Sequence, residues 1–267
     1  MNPIVNAFEH AAETYVNACS VQRRIAKHLA DRFVDSKASH SAPKRILELG
    51  CGTGALTGLL AERFPSSQIM ATDASPAMIS VARKQVEQSN VQFQTLLIDG
   101  QTPDGDMPAA SEQMAGRFDL IASSMALHWV ADFENVLQRI AEQADKIIFS
   151  IPVLGTFENW IKAHEAVGLT HGVRNFVSEE KVRSWQTLFS HHSYSVEFLD
   201  FWESYADPFD FVRQLKQVGA SLPREGHQPV KNLRNVFKQF PNGIKINYRM
   251  AFVQAFKPNC STVSAHS

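Results

Sequence analysis

The stretch RILELGCGTGALTGLL, Arg45 to Leu60, sets three glycines within five positions between two apolar runs. Gly50, Gly52 and Gly54 allow a tight strand-to-helix turn. They leave the amides of a helix N-terminus facing whatever lies beyond the strand. A chain with such a turn is committed to a βα unit, and the residues that follow repeat it. KRILEL reads as a strand and ALTGLLAERF as a helix. SQIMATD is a second strand, and SPAMISVARKQVEQ a helix with Ser75 as N-cap and Pro76 at its first position. VQFQTLLID and RFDLIASS are the third and fourth strands, FENVLQRIAEQA a helix and KIIFSIP a fifth strand. Apolar strands alternating with helices predict a parallel sheet covered on both faces, with right-handed crossovers.

Upstream, apolar residues from Val5 through Phe8, Tyr15, Ile25 and Leu29 to Phe33 step by three and four, which predicts one long amphipathic helix. DSKASHSAPK is a linker. Beyond Pro152 the rhythm changes. TFENWIKAHEAVG and SEEKVRSWQTLF read as helices and YSVEFLDFWESY as a strand. Asp207 and Pro208 open the helix FDFVRQLKQVG, which Gly219 ends. After the Asn242-Gly243 turn signal, GIKINYRMAFVQAF alternates as a terminal strand. The expected organisation is a helical lid over 1–36, a ligand-binding core over 44–151 and a helical cap with a late core strand over 152–243. A terminal core strand at 244–257 and a disordered tail at 258–267 complete it.

Composition narrows the class. A 267-residue chain with 44% hydrophobic and 20% charged residues has material for a sizeable core. A net charge of −1 does not mark a nucleic-acid or membrane-surface binder as a whole. Cys19, Cys51 and Cys260 show no metal spacing, so reduced thiols and a cytoplasmic setting are expected. No run approaches the roughly 18 apolar residues of a membrane span, and neither a metal site nor a nucleic-acid or membrane partner is expected.

Ligands of open α/β sheets bind at the strands' carboxyl ends. The loop could be a bare turn. It also satisfies G-x-G-x-x-[GA], with Asp73 some twenty residues on, so a dinucleotide competes. Three acids decide between these readings. Glu48, Asp73 and Asp99 each stand at a strand end. A pyrophosphate would be repelled by an acid at 48. A phosphate-free ligand carrying an ammonium, a ribose diol and an adenine amine suits three carboxylates.

ILELGCGTG, ATDASPAMISVAR, LIDG and FDLIASSMALHW, in that order, resemble the class I S-adenosylmethionine-dependent methyltransferases. The resemblance implies a Rossmann-like α/β sheet, mostly parallel with one late antiparallel strand, an N-terminal helix and a helical cap insertion. It implies S-adenosylmethionine as cofactor and S-adenosylhomocysteine as product. Glu48, Gly50, Cys51 and Gly52 would underlie the methionine and ribose parts, and Asp73 would hold the ribose hydroxyls. Ala74 and Met78 would pack on the adenine, Asp99 with Gly100 would meet its amine, and Ser123 would present backbone near the methionine end.

AFEHAAETYVNACSVQRRIAKHL, SSMALHWVADF, HGVRNF, FVRQLKQVGAS and INYRMAFVQAF further resemble the malonyl-acyl carrier protein O-methyltransferases of biotin synthesis. That likeness implies esterification of a malonyl carboxylate, a loaded acyl carrier protein as partner, and Tyr15 and Gln22 closing over the cofactor. His171 and Arg174 would come from the cap. Arg174 could grip the carboxylate with its planar fork, or be an ordinary surface arginine. His128, beside a cofactor motif, could contact the substrate or be structural. A carboxylate nucleophile needs no base, so the chain's role is positioning. Arg23, Arg24 and Lys27, or Arg213, Lys216 and Arg224, could dock an acidic carrier or be solvated helix faces. Two features depart from the pattern. AEQADKIIF lacks the usual Pro-Gly-Gly turn, and the link from Asp99 to the fourth strand is long. The rivals are a methyltransferase for a small free acid of the aconitate type and a methyltransferase-fold assembly protein with hydroxylase activity.

Overall fold

The computed structural model describes residues 2–35, 42–98, 117–220 and 233–258. Seven strands form one sheet: β1 (Arg45–Leu49), β2 (Gln68–Asp73), β3 (Val91–Thr95), β4 (Phe118–Ser124), β5 (Ala144–Pro152), β6 (Ser193–Tyr205) and β7 (Ile244–Phe256). Their order is β3-β2-β1-β4-β5-β7-β6. The first five pair in parallel, and β7 runs antiparallel between β5 and β6. This is the Rossmann-like sheet with one late antiparallel strand that the sequence predicts.

Nine helices flank it among the described residues: α1 (Pro3–Ala18), α2 (Ser20–Asp35), α3 (Ala55–Arg63), α4 (Pro76–Gln85), α5 (Phe133–Gln143), α6 (Glu158–Glu165), α7 (Glu179–Ser184), α8 (Pro208–Gln217) and α9 (Arg234–Phe237). Alternate residues of each central strand feed opposite layers. Ile46, Leu120 and Ile148 join Ile25, Leu29, Leu60 and Phe211 on one face. Leu47, Ile121 and Ile147 join Leu137, Ile140 and Trp185 on the other. Strands buried on both faces are what parallel pairing requires.

Three expectations need correction. The N-terminal amphipathic run is two helices, not one. It breaks at Cys19, whose φ of −97° and ψ of 38° leave the helical region. Periodicity misses the break because the apolar stripe continues through it. α2 buries Val21, Ile25 and Leu29 completely, whereas α1 leaves Val5, Phe8 and Tyr15 half-buried. The third strand stops at Thr95; the Leu96 amide still donates to the Asp73 carbonyl at 2.8 Å, and Leu96–Ile98 line a cavity. The helix expected over SEEKVRSWQTLF is α7 followed by a 3-10 turn at Trp185–Thr187.

Local signals otherwise hold. Ser75 caps α4, its hydroxyl accepting from the Met78 amide at 3.1 Å, with Pro76 at the first position. Gly219 ends α8 with φ +69°. Part of the linker, the long link after Asp99, and the tail from 259 lie outside the described residues. No helix among the described residues is long and apolar enough to cross a membrane.

Candidate active site

The strand order turns at β1, between β2 and β4, and the glycine loop leaves β1 there. Such a reversal opens a crevice at the strand ends. Gly50 has φ +70°, and a Cβ on it would lie 2.1 Å from the Ala126 Cβ, so only glycine fits. Gly52 has φ +54°, but a Cβ there would meet nothing within 4 Å. Its bare backbone therefore faces open space in which a ligand can lie against it.

Asp73 organises the loop. Its Oδ2 accepts from the Gly52 amide and its Oδ1 from the Ser75 amide, both at 2.9 Å. Burial nevertheless raises its pKa above the usual carboxylate value, with Glu9's charge adding and the amides opposing.

A cavity of about 160 Å³ opens above this loop, far more than one water needs. Tyr15, Gln22, Glu48, Gly50, Cys51, Gly52, Asp73, Ala74 and Met78 all line it. Asp99 and Gly100 lie outside the described residues. Ser123 does not line the chamber. It is buried and donates to the Leu49 carbonyl at 2.8 Å, tying β4 to β1, while Ser124, Met125 and Ala126 take the chamber wall. Ser123 lies within β4, whose last residue is Ser124, and the chamber wall begins there.

Glu48 is 1% exposed, and its Oε2 has no hydrogen-bond partner. Burial raises its pKa to about 8, Asp73 adding and Thr57 opposing. A carboxylate at a strand end is expected to be charged; burial in this chamber instead favours the protonated form of Glu48. The Gln22 Oε1 is also buried and unpartnered. Burial likewise raises the pKa of Tyr15 and of the Cys51 thiol. Two acids and two orphaned acceptor oxygens, with no Lys, Arg or His among the described lining residues, fit a ligand that brings donors and positive charge. S-adenosylmethionine has both and no phosphate; a dinucleotide's pyrophosphate does not fit.

Sequence reading missed several contributors. Glu9 of α1 accepts from the Ser75 hydroxyl and from the Ala77 amide at 3.1 Å, clasping α1 onto the N-terminus of α4. Phe8 meets Trp129 edge-on at 5.4 Å. No local pattern distinguishes these from ordinary helix residues.

A second chamber, about 200 Å³, adjoins the first, and Phe8, Tyr15, Gln22, Met125 and Trp129 belong to both walls. Met125 at this window has φ +54°, a strained value for a residue with a side chain. Phe157, Trp160, Phe176 and Tyr248 make the second chamber aromatic. His128, His171 and Arg174 line it. The Arg174 guanidinium stacks 4.9 Å from the Trp129 ring centre. Burial, with Arg174 beside it, drives the His128 pKa down to about 3, so its imidazole is neutral. No Asp or Glu lines this chamber among the described residues, and no group of three or more metal-ligating side chains occurs among them.

A family model described as a methyltransferase domain matches residues 46–145. With the glycine loop and the acid-lined chamber, this defines the core as a class I S-adenosylmethionine-dependent methyltransferase domain. The chain is 31% identical over 270 residues to the "biotin biosynthesis bifunctional protein BioCD" of Bordetella avium, covering 96% of this chain but 52% of that protein. It thus spans about half the length of that relative. It is 28% identical over 252 residues to the "malonyl-[acyl-carrier protein] O-methyltransferase" of Neorickettsia risticii, covering 94% of this chain and 95% of that protein. Among solved structures, a cyclopropane-fatty-acyl-phospholipid synthase-like protein from Lactobacillus casei shares the fold, with a TM-score of 0.56 at 12% identity over 94% of this chain and 99% of that one.

Proposed function

We propose that this chain methylates the free carboxylate of malonyl-acyl carrier protein, an ester-forming step of biotin synthesis. The observation that carries this reading is the chemistry of the second chamber. It is aromatic, holds the cation of Arg174, and is lined by no carboxylate among the described residues. An anionic acceptor is attracted there and meets no like charge. A carboxylate is already ionised at neutral pH, so the neutral His128 is not needed as a base. S-adenosylmethionine, when bound in the first chamber, supplies a methyl group on a sulfonium sulfur. Asp73, Glu48 and the loop backbone would hold the donor on one side of the window, and Arg174 would orient the carboxylate on the other. Phe8, Trp129 and Met125 exclude water between them.

Docking of an acidic carrier is assigned to α8. Val212 and Leu215 of that helix line the second chamber, while Arg213 and Lys216 on the same helix are exposed. On α2, Arg24 and Lys27 are paired with Glu203 and Asp31, and on α8 Arg213 is paired with Asp210 at 2.8 Å, so it is the adjoining chamber that favours α8. Weaker substrate affinity at high salt is the expected signature. Buried, reduced Cys19 and Cys51 suit a cytoplasmic setting.

The test is methyl transfer from labelled S-adenosylmethionine to malonyl-acyl carrier protein. Label on the carrier that mild base releases, with S-adenosylhomocysteine as co-product, is expected. Label on free dicarboxylic acids only, or no S-adenosylhomocysteine, would sink the reading.

A further inference from the structure

The second chamber contains a histidine that the reaction above does not use. His164 on α6 is 1% exposed and lines the chamber. Its Nδ1 lies 2.9 Å from the Trp160 carbonyl, one turn earlier in the helix. A carbonyl only accepts, so Nδ1 carries the hydrogen and Nε2 is a bare acceptor. The Trp160 ring packs against the imidazole with centroids 4.5 Å apart, fixing its orientation. Burial lowers its pKa, with the Trp160 carbonyl opposing and the neighbouring His171 adding.

His171, in the loop after α6, is locked in the opposite sense. The Val173 amide donates to its Nδ1 at 3.0 Å, so the neutral ring carries its hydrogen on Nε2. His171 also lines the chamber. The chamber therefore offers an acceptor nitrogen from His164 and a donor N–H from His171, each tautomer set by a backbone group.

One acceptor and one donor in the same chamber suit a secondary amide, whose trans N–H and C=O point to opposite sides and meet one group each. A second carboxylate has no hydrogen to give and would leave the His164 nitrogen unsatisfied. We propose that His164 and His171 read an amide in the arm of the acceptor thioester, and so select an acyl group on an amide-bearing thiol over a free dicarboxylic acid. This rests on the malonyl-thioester reading and names what, beyond the carboxylate, the chamber recognises.

The experiment compares two small probes of matched length: the malonyl thioester of N-acetylcysteamine, which holds one amide, and the malonyl thioester of pentanethiol, which holds none. Affinities are measured by calorimetry on the chain without donor, and methyl ester formation is measured separately. The unaltered chain should bind the amide probe at least tenfold more tightly. In His164→Leu and in His171→Leu that preference should fall to within about twofold of unity, through weaker binding of the amide probe alone. His164→Gln, which keeps an acceptor oxygen, should retain part of it. Unfolding temperatures and the affinity for S-adenosylmethionine check that each variant is folded. Equal binding of the two probes by the unaltered chain, or a preference unchanged in both Leu variants, overturns the inference. Failure to form a methyl ester on either probe or on the carrier strikes the proposed function instead.

Discussion

At the residue scale the donor chamber rests on two carboxyl groups with different tasks. Asp73 receives two backbone amides and still faces the chamber, so it shapes the loop and offers charge to a ligand. Asp73→Ala should weaken S-adenosylmethionine binding at least tenfold, about 1.4 kcal/mol, as read by calorimetry; unchanged affinity would exclude the contact. Glu48 makes a pH prediction. Its folded pKa, about 8, lies above the unfolded value of 4.5, so the native chain holds a proton that the unfolded chain releases. The stability this contributes is complete below the unfolded value and is lost as pH rises through about 8. Without donor, the unfolding temperature of the unaltered chain should therefore fall between pH 5.5 and 8.5 relative to that of Glu48→Gln. Parallel curves for the two proteins would contradict the assignment.

At the element scale, α1 is the least buried of the helices that close the chamber. Only Ala11, Ala12 and Ala18 of its residues are buried. What attaches it is side-chain chemistry: Glu9 on the amino end of α4, and the Thr14 hydroxyl donating to the Gln217 carbonyl at 2.9 Å. A carboxylate at a helix N-terminus contributes up to about 1 kcal/mol, roughly fivefold in an equilibrium. Glu9→Ala should speed amide exchange across residues 3–18 several-fold and weaken donor binding by a similar factor, with little effect on exchange in the sheet. Unaltered exchange in α1 would show that the clasp does not hold it. α2 differs because its apolar stripe is part of the main core.

At the scale of the whole molecule, the sheet, the N-terminal helices and the segment after Pro152 enclose two chambers with one window. Arg174 belongs to the loop between α6 and α7, remote in sequence from the glycine loop, and lines the second chamber. Arg174→Ala should reduce turnover of the malonyl thioester at least tenfold while leaving donor affinity intact; unchanged kinetics would remove it from the site. Much of this was legible beforehand. Strand–helix alternation, Ser75 and Gly219 at helix ends, the glycine turn and the acids Glu48 and Asp73 near the ends of β1 and β2 are local signals, set by backbone sterics and hydrogen bonding within a few residues. The break at Cys19, the early end of β3 and the exchange of Ser123 for Ser124 at the wall were not legible, because long-range packing decides them. The sequence by itself determined a parallel sheet carrying a ligand loop, since periodicity and turn chemistry act over short spans of chain. Only the tertiary structure decided that Glu9 clasps α4, that burial raises the Glu48 pKa, and that His164 and His171 line one chamber. Desolvation and side-chain pairing depend on neighbours that the chain brings together only by folding.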